Sequence, residues 1–188
     1  MEDDFQFILK WLHQRIELEE GRIKILGSDG KIYSASFVFN PPATINTIRQ
    51  LENKYQIRLP KDYATFLSIH NGAKLFDIGN GDCTQIYSID EVDNLAEIMM
   101  PEIAPNLLPI ARYPGIKFYL DLTRKNNNIF SNESGPDFDF LAMNFTKWFS
   151  ALIQTNGSPF WDLTPQMVYR IIDDPELKLK DWLLNGYQ

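Results

Sequence analysis

Thr44–Gly72 reads TINTIRQLENKYQIRLPKDYATFLSIHNG, and its pattern is that of two helices joined by a short corner. Ile45, Ile48, Leu51 and Tyr55 recur at three- and four-residue spacing, which places them on one helical face. Thr44 offers a side-chain oxygen for the first turn, and Pro42 lies just before it. Ile57 and Leu59 lead the chain out of this helix. Pro60 suits the first turn of the next, where its missing N–H needs no partner. Asp62 falls in the same turn and faces the positive end of the helix dipole. Tyr63, Phe66, Leu67 and His70 form the second apolar face. Asn71-Gly72 closes the pair, with Gly72 fitted to a left-handed cap position.

Outward toward the N-terminus, residues 4–20 read as an amphipathic helix with Phe5, Ile8, Leu9, Leu12 and Ile16 on one face, ended by Gly21. RIKIL and KIYSASFVF, joined through Ser28-Asp29-Gly30, read as a β-hairpin. Toward the C-terminus, KLFDI and CTQIYSI are strands either side of the turn Gly79-Asn80-Gly81-Asp82. Ser88 and Glu91 have capping-box spacing for a helix over 89–99. LLPIARY, GIKFYLDL and NNIFSN read as a run of antiparallel strands. Pro109 predicts that the first is an edge strand or begins after the proline. Residues 137–154 read as one long helix, capped by Asp137 and carrying Phe138, Leu141, Phe145, Trp148, Phe149 and Leu152. Thr164-Pro165 and Pro175 open two further helices.

The composition is that of a chain with a substantial core: 44% hydrophobic and 13% aromatic over 188 residues. The formal net charge of −7 argues against nonspecific nucleic-acid binding, which needs a basic footprint, and against anionic membrane surfaces. It suits a basic protein partner. Cys83 is the one cysteine, so no internal disulfide can form. The acidic, helical start lacks a signal-peptide pattern, and no stretch has the length of a membrane span. A cytoplasmic location is the expectation. The acceptor patterns at Asn132 and Asn144 are discounted accordingly.

Candidate chemistry is sparse. His13 and His70 are the two histidines, and with Cys83 they do not supply metal-ligand spacing. A last-turn His70 is expected to serve its helix C-terminus. Cys83 reads as a small hydrophobe in a strand. Asp77 and Asp82 flank the glycine-rich turn, and Asp137 and Asp139 open the long helix; turn formation and capping explain all four. Convergence of Asp77, Asp82 and His70 in a deep pocket would raise the alternative of a small hydrolase. Gly79-Asn80-Gly81 lacks the phosphate-loop pattern. No catalytic residue, metal site or cofactor is expected. Phe160, Trp161 and Tyr169 pack into the core or, if exposed, anchor a partner.

The order I-x-x-L-E, LP-x-DY-x-x-FL and NG resembles the signature of the Smi1/Knr4 family, also called the SUKH superfamily. Leu51, Glu52, Leu59, Pro60, Asp62, Tyr63, Phe66, Leu67, Asn71 and Gly72 carry it, together with Ile48; Ala73 departs from a second glycine common in relatives. The resemblance implies an α+β fold, a mixed, mainly antiparallel sheet flanked by helices. It implies one domain over 1–188, with an N-terminal helix-hairpin addition (about 1–40) and a C-terminal helical addition (about 158–188). It also implies binding without turnover. Many bacterial members are similar to cytoplasmic immunity proteins that bind a cognate toxin, often a nuclease or deaminase. Fungal relatives act as regulatory or scaffold proteins. The expected partner is therefore a protein, engaged by a monomer or homodimer through the stretch after Gly72 and the Gly79–Asp82 turn: Lys74, Asp77, Asn80 and Asp82.

Overall fold

A computed structural model of the protein describes residues 4–26, 31–100, 105–126, 128–133, 135 and 137–162. In chain order it contains α1 (Asp4–Leu18), β1 (Arg22–Leu26), β2 (Ile32–Phe39), α2 (Ile45–Tyr55), α3 (Lys61–Ile69), β3 (Ala73–Asp77), β4 (Thr84–Ile86) and α4 (Ile89–Met99). There follow β5 (Leu107–Tyr113), β6 (Ile116–Asp121), β7 (Ile129–Asn132), β8 (Asp139–Phe140), α5 (Phe145–Gln154) and a 3-10 turn at Phe160–Asp162. The helices expected after Thr164-Pro165 and Pro175, and the turn at Ser28-Asp29-Gly30, lie outside the described residues.

The eight strands form one sheet in sequence order, and every described pairing is antiparallel. The family resemblance implies a mixed, mainly antiparallel sheet flanked by helices; the flanking helices and antiparallel pairing are present, and no parallel pairing occurs among the described strands.

The signature residues hold the helix pair and its neighbours in place. Thr44 Oγ1 accepts the Thr47 N–H at 3.1 Å and caps α2. Gln56, with φ +53°, turns the chain out of that helix. The Leu-Pro corner is held by Glu52, which accepts the Leu59 N–H at 3.0 Å and pairs with Arg58 at 2.7 Å. Asp62 reaches across to α5 and accepts the Thr146 N–H at 2.9 Å. Asn71 Oδ1 accepts the Ile89 N–H at 2.8 Å, joining the end of α3 to the start of α4. The Ser88–Glu91 capping box forms as its spacing predicts.

The aromatic centre of the core is Phe5, Tyr63, Phe66, Phe145, Trp148 and Phe149, all buried. Phe5 brings α1 into it, with ring centroids 5.6 Å from Phe145 and 5.4 Å from Phe149. Phe160 is buried as well, and half-buried Trp161 packs its ring against Phe118, 4.9 Å away.

Three sequence expectations are corrected. The segment 137–154 is not one helix: residues 139–140 form β8, and α5 begins only after Asn144, whose side chain accepts the Lys147 N–H. Asp137 is no cap, and Asp139 pairs with Ser131. Backbone bonds of Ile129 to Met143 and Leu141, and Ala142 at φ +55°, hold residues 139–143 against β7 instead of in a helix. Second, β5 lies inside the sheet between β4 and β6 and includes Pro109. The register shifts between Pro109 and Ala111, and a bulge there tolerates a residue without an N–H. Third, the α3 cap residue is His70. Gly72 does take a positive φ of +91°, but its close neighbours are the backbone of Ile86, Tyr87 and Ser88.

Candidate functional site

Directly opposed residues in a sheet share a face. The register therefore sets Val38, Lys74, Gln85, Arg112, Lys117 and Asn132 in one row across six strands. Val38, Lys74, Arg112 and Lys117 are exposed, and Gln85 and Asn132 are half-buried. By the same alternation Arg22 and Lys24 of β1 stand on the face away from buried Ile23 and Ile25. An acidic chain thus carries a row of cations on its sheet face.

That face is hollowed into a groove of about 640 Å³. Arg112, Lys117, Asn132 and one carboxylate, Glu133, line it together with Met99, Tyr119 and Phe138. Tyr119 points to this side of β6, yet it is only 1% exposed. Phe138 packs edge-on over its ring at 5.2 Å, and its hydroxyl reaches the Met99 sulfur at 3.9 Å. Burial pushes the Tyr119 phenol up to about 12. Arg112 donates from Nε to Gln85 Oε1 at 2.9 Å. Gln85 donates in turn to Glu91 at 2.6 Å, which fixes the guanidinium relative to α4. Among the described residues neither Arg112 nor Lys117 makes a salt bridge with a carboxylate.

The residues expected to meet a partner lie beside this groove. The chain after Gly72 enters β3 directly, so Lys74 sits on a strand, as KLFDI reads in the sequence. Asp77 accepts the Gly79 N–H at 2.8 Å, while Asn80 donates to Asp82 at 2.7 Å and accepts the Asp82 N–H at 2.9 Å. These bonds close the turn as the sequence predicts. Cys83 lines the groove just before β4. Burial, then Asp77 and Asp82, raise its thiol pKa against the opposing pull of Lys74 and Arg112. The four expected partner-binding residues therefore border one region with Cys83 and Arg112. Sequence reading missed Arg112, Lys117, Tyr119 and Phe138. Arg112 and Lys117 alternate with buried neighbours, which was a usable signal for an exposed face; the placement of Phe138 depended on a segment read as helix.

The histidines are not scattered. His13 Nε2 and His70 Nε2 are 3.1 Å apart, and His70 Nδ1 lies 3.2 Å from the Asn40 carbonyl oxygen. A carbonyl only accepts, so His70 donates from Nδ1, its neutral Nε2 accepts, and His13 donates. Burial foremost lowers both pKa values; His13 is lowered further by His70, against Glu17. The His70 ring thus serves Asn40 and His13, away from Asp77 and Asp82. Among the described residues no group of three His, Cys, Asp or Glu side chains is arranged to hold a metal ion. Nor is any described helix long and apolar enough to cross a membrane.

The profile of the SMI1 / KNR4 family (SUKH-1) matches residues 42–151, from the start of the helix pair into α5. The chain belongs to the SMI1/KNR4 family. It is 32% identical to the protein YobM of Bacillus subtilis (strain 168) over 77% of this chain and 84% of that one. A second relative from the same organism, YnaB, is 26% identical over 74% of this chain and 98% of its own length. Both are described as uncharacterized. The family match contains Lys74, Arg112, Lys117 and Tyr119, and leaves α1 and the β1–β2 hairpin outside.

Proposed function

We propose that this SMI1/KNR4 protein is a non-enzymatic binding module, a cytoplasmic immunity protein that engages and neutralises a cognate bacterial toxin. The observation that carries the reading is the exposed row of the sheet, Lys74 included, with a groove lined by Arg112 and Lys117 and reached by Gly81 of the Gly79–Asp82 turn. A sheet face that is exposed at Val38, Lys74, Arg112 and Lys117, with aromatic residues beside its charges, suits recognition of another protein. The family, and the sequence resemblance to immunity proteins within it, point the same way. Asp77, Asn80 and Asp82 are already satisfied within their turn, which favours a preorganised contact surface over acid–base chemistry at those groups.

The test is capture from the native lysate by the tagged protein at low and moderate salt, followed by mass spectrometry and co-expression with the captured candidate. A stoichiometric partner whose toxicity this protein abolishes is the expected result. Recovery of only cell-wall or signalling proteins, with no growth protection against any candidate toxin, would replace the immunity reading with a regulatory one.

A further inference from the structure

Arg112 and Lys117 face each other on adjacent strands. Like charges directly opposite destabilise a sheet. Lys117 has half-buried Asn132 as its next cross-strand neighbour and no described salt bridge, while Arg112 bonds the neutral Gln85. Among the described residues the Nε of exposed Arg112 has a side-chain partner and its Nη groups have none. This cationic pair lines the groove together with Met99, Tyr119 and Phe138, and outnumbers its one carboxylate, Glu133. We propose that the groove receives an acidic side chain of the partner protein together with an adjacent apolar or aromatic residue. The inference rests on the protein-binding reading above and specifies its contact.

The chemistry follows from the two halves of the site. A guanidinium held at Nε by Gln85 presents its remaining N–H groups in a fixed fork that matches a carboxylate. The Lys117 ammonium adds a second point charge across the strand. One carboxylate between them relieves their mutual repulsion and gains attraction from both. The neighbouring apolar side chain then packs on half-buried Phe138, since Met99 and Tyr119 are already buried. A volume of about 640 Å³ accommodates two side chains. Charge complementarity selects the occupant locally, even though the whole chain is at −7. Net charge governs long-range approach, whereas the groove sees only the charges that line it.

The test is an NMR titration of the full-length 15N-labelled protein with an acetylated, amidated pentapeptide Ala-Glu-Phe-Glu-Ala. Its counterpart Ala-Lys-Phe-Lys-Ala and adenosine monophosphate serve as the other arms. The expected result is saturable shifts at the Arg112 side-chain N–H and the Lys117 and Asn132 amides with the acidic peptide alone. Lys117→Glu, an exposed change whose folding is checked by its spectrum, should weaken that binding at least tenfold. The pair Arg112→Glu and Lys117→Glu should shift preference to the lysine peptide. Absence of saturable shifts, equal response to both peptides, or unchanged affinity in Lys117→Glu would overturn the inference. Tighter binding of the nucleotide than of the acidic peptide would also overturn it, in favour of a small phosphate-bearing ligand. Lys117→Glu is carried through the toxin capture as well. A toxin still held and neutralised by that variant, beside a silent peptide titration, would end this inference and leave the immunity reading standing.

Discussion

At Gly72 two effects converge on one residue. Its φ of +91° lies where a Cβ is strained, and that Cβ would stand 2.7 Å from the Ser88 nitrogen and 2.9 Å from the Ile86 oxygen. Both are backbone atoms, one of them on the cap of α4, so neither can swing aside. Gly79 has nearly the same φ, +87°, with nothing within 4 Å of its Cβ position. The pair separates conformational strain from steric contact. Gly79→Ala should cost about 1 kcal/mol, and Gly72→Ala about 3 kcal/mol or more. Urea denaturation of both variants measures the difference; equal costs would mean the Ser88–Ile86 contact relaxes freely. The His13–His70 pair makes a second residue-scale prediction. Both folded pKa values lie below the ordinary 6.5. The unfolded chain therefore takes up protons first, and stability falls as pH drops through 6.5 and toward the folded values. One proton on His13 Nδ1 preserves the Nε2–Nε2 bond; a second, on His70 Nε2, removes its acceptor. Glu17 is the charged group that opposes this at His13, and the rings of Phe39 and Phe66 supply the apolar surroundings. Thermal melts from pH 7.5 to 5.5 at constant ionic strength should show a falling Tm. His13→Phe should flatten that fall, and an unaltered slope would exclude the pair as its source.

Helix starts decide how the last third of the chain is divided. Apolar residues over 137–154 fit helical spacing well enough to read as one element. The reading fails because Phe138 and Phe140 serve strand-like packing, over Tyr119 and Phe130 respectively, and that pairing is non-local. Periodicity reports which residues seek cover, not which neighbour supplies it. Asn144 marks the true start, and a cap residue before Phe145 was visible in the sequence. Asn144→Ala should cost about 1 kcal/mol, whereas Asp137→Ala should stay within about 0.5 kcal/mol. Loss of helical circular dichroism in the Asp137 variant would restore the longer helix. The α2–α3 pair shows the opposite case. Its opening cap, corner and faces were legible because each is a local device: Thr44 bonds three residues ahead and Glu52 seven, whereas the closing cap falls at His70 and not at Gly72. What local reading could not supply was the reach of Asp62 to Thr146 and of Asn71 to Ile89. Those bonds explain why the signature asks for an acid and an amide at positions that otherwise need only be polar.

Among the described residues strand order follows chain order, and the run of antiparallel strands read from LLPIARY, GIKFYLDL and NNIFSN captures its β5–β7 part. The site was less legible, since a cross-strand row such as Lys74–Gln85–Arg112–Lys117 exists only once the register is known. The same limit applies to α1. An amphipathic helix announces that one face is buried but not against what. Here Phe5 is fully buried among Phe66, Phe145 and Phe149, on α3 and α5, although α1 lies outside the family match at 42–151. A segment that looks appended in sequence therefore supplies a wall of the family core. Its removal would expose three aromatic rings at once, besides Ile8, Leu9 and Leu12 of the helix itself. Phe5→Ala should accordingly cost about 3–5 kcal/mol, the range for emptying a buried aromatic site. A chain begun at residue 42 should fail to give the cooperative unfolding transition of the full protein. If Phe5→Ala instead cost under about 1 kcal/mol, α1 would be a detachable cover whose role lies outside the fold. Only in the first case can a contact on α1, such as that of His13 with His70, be coupled to the helix pair and, through Asn71 and Gly72, to the strands that carry the groove.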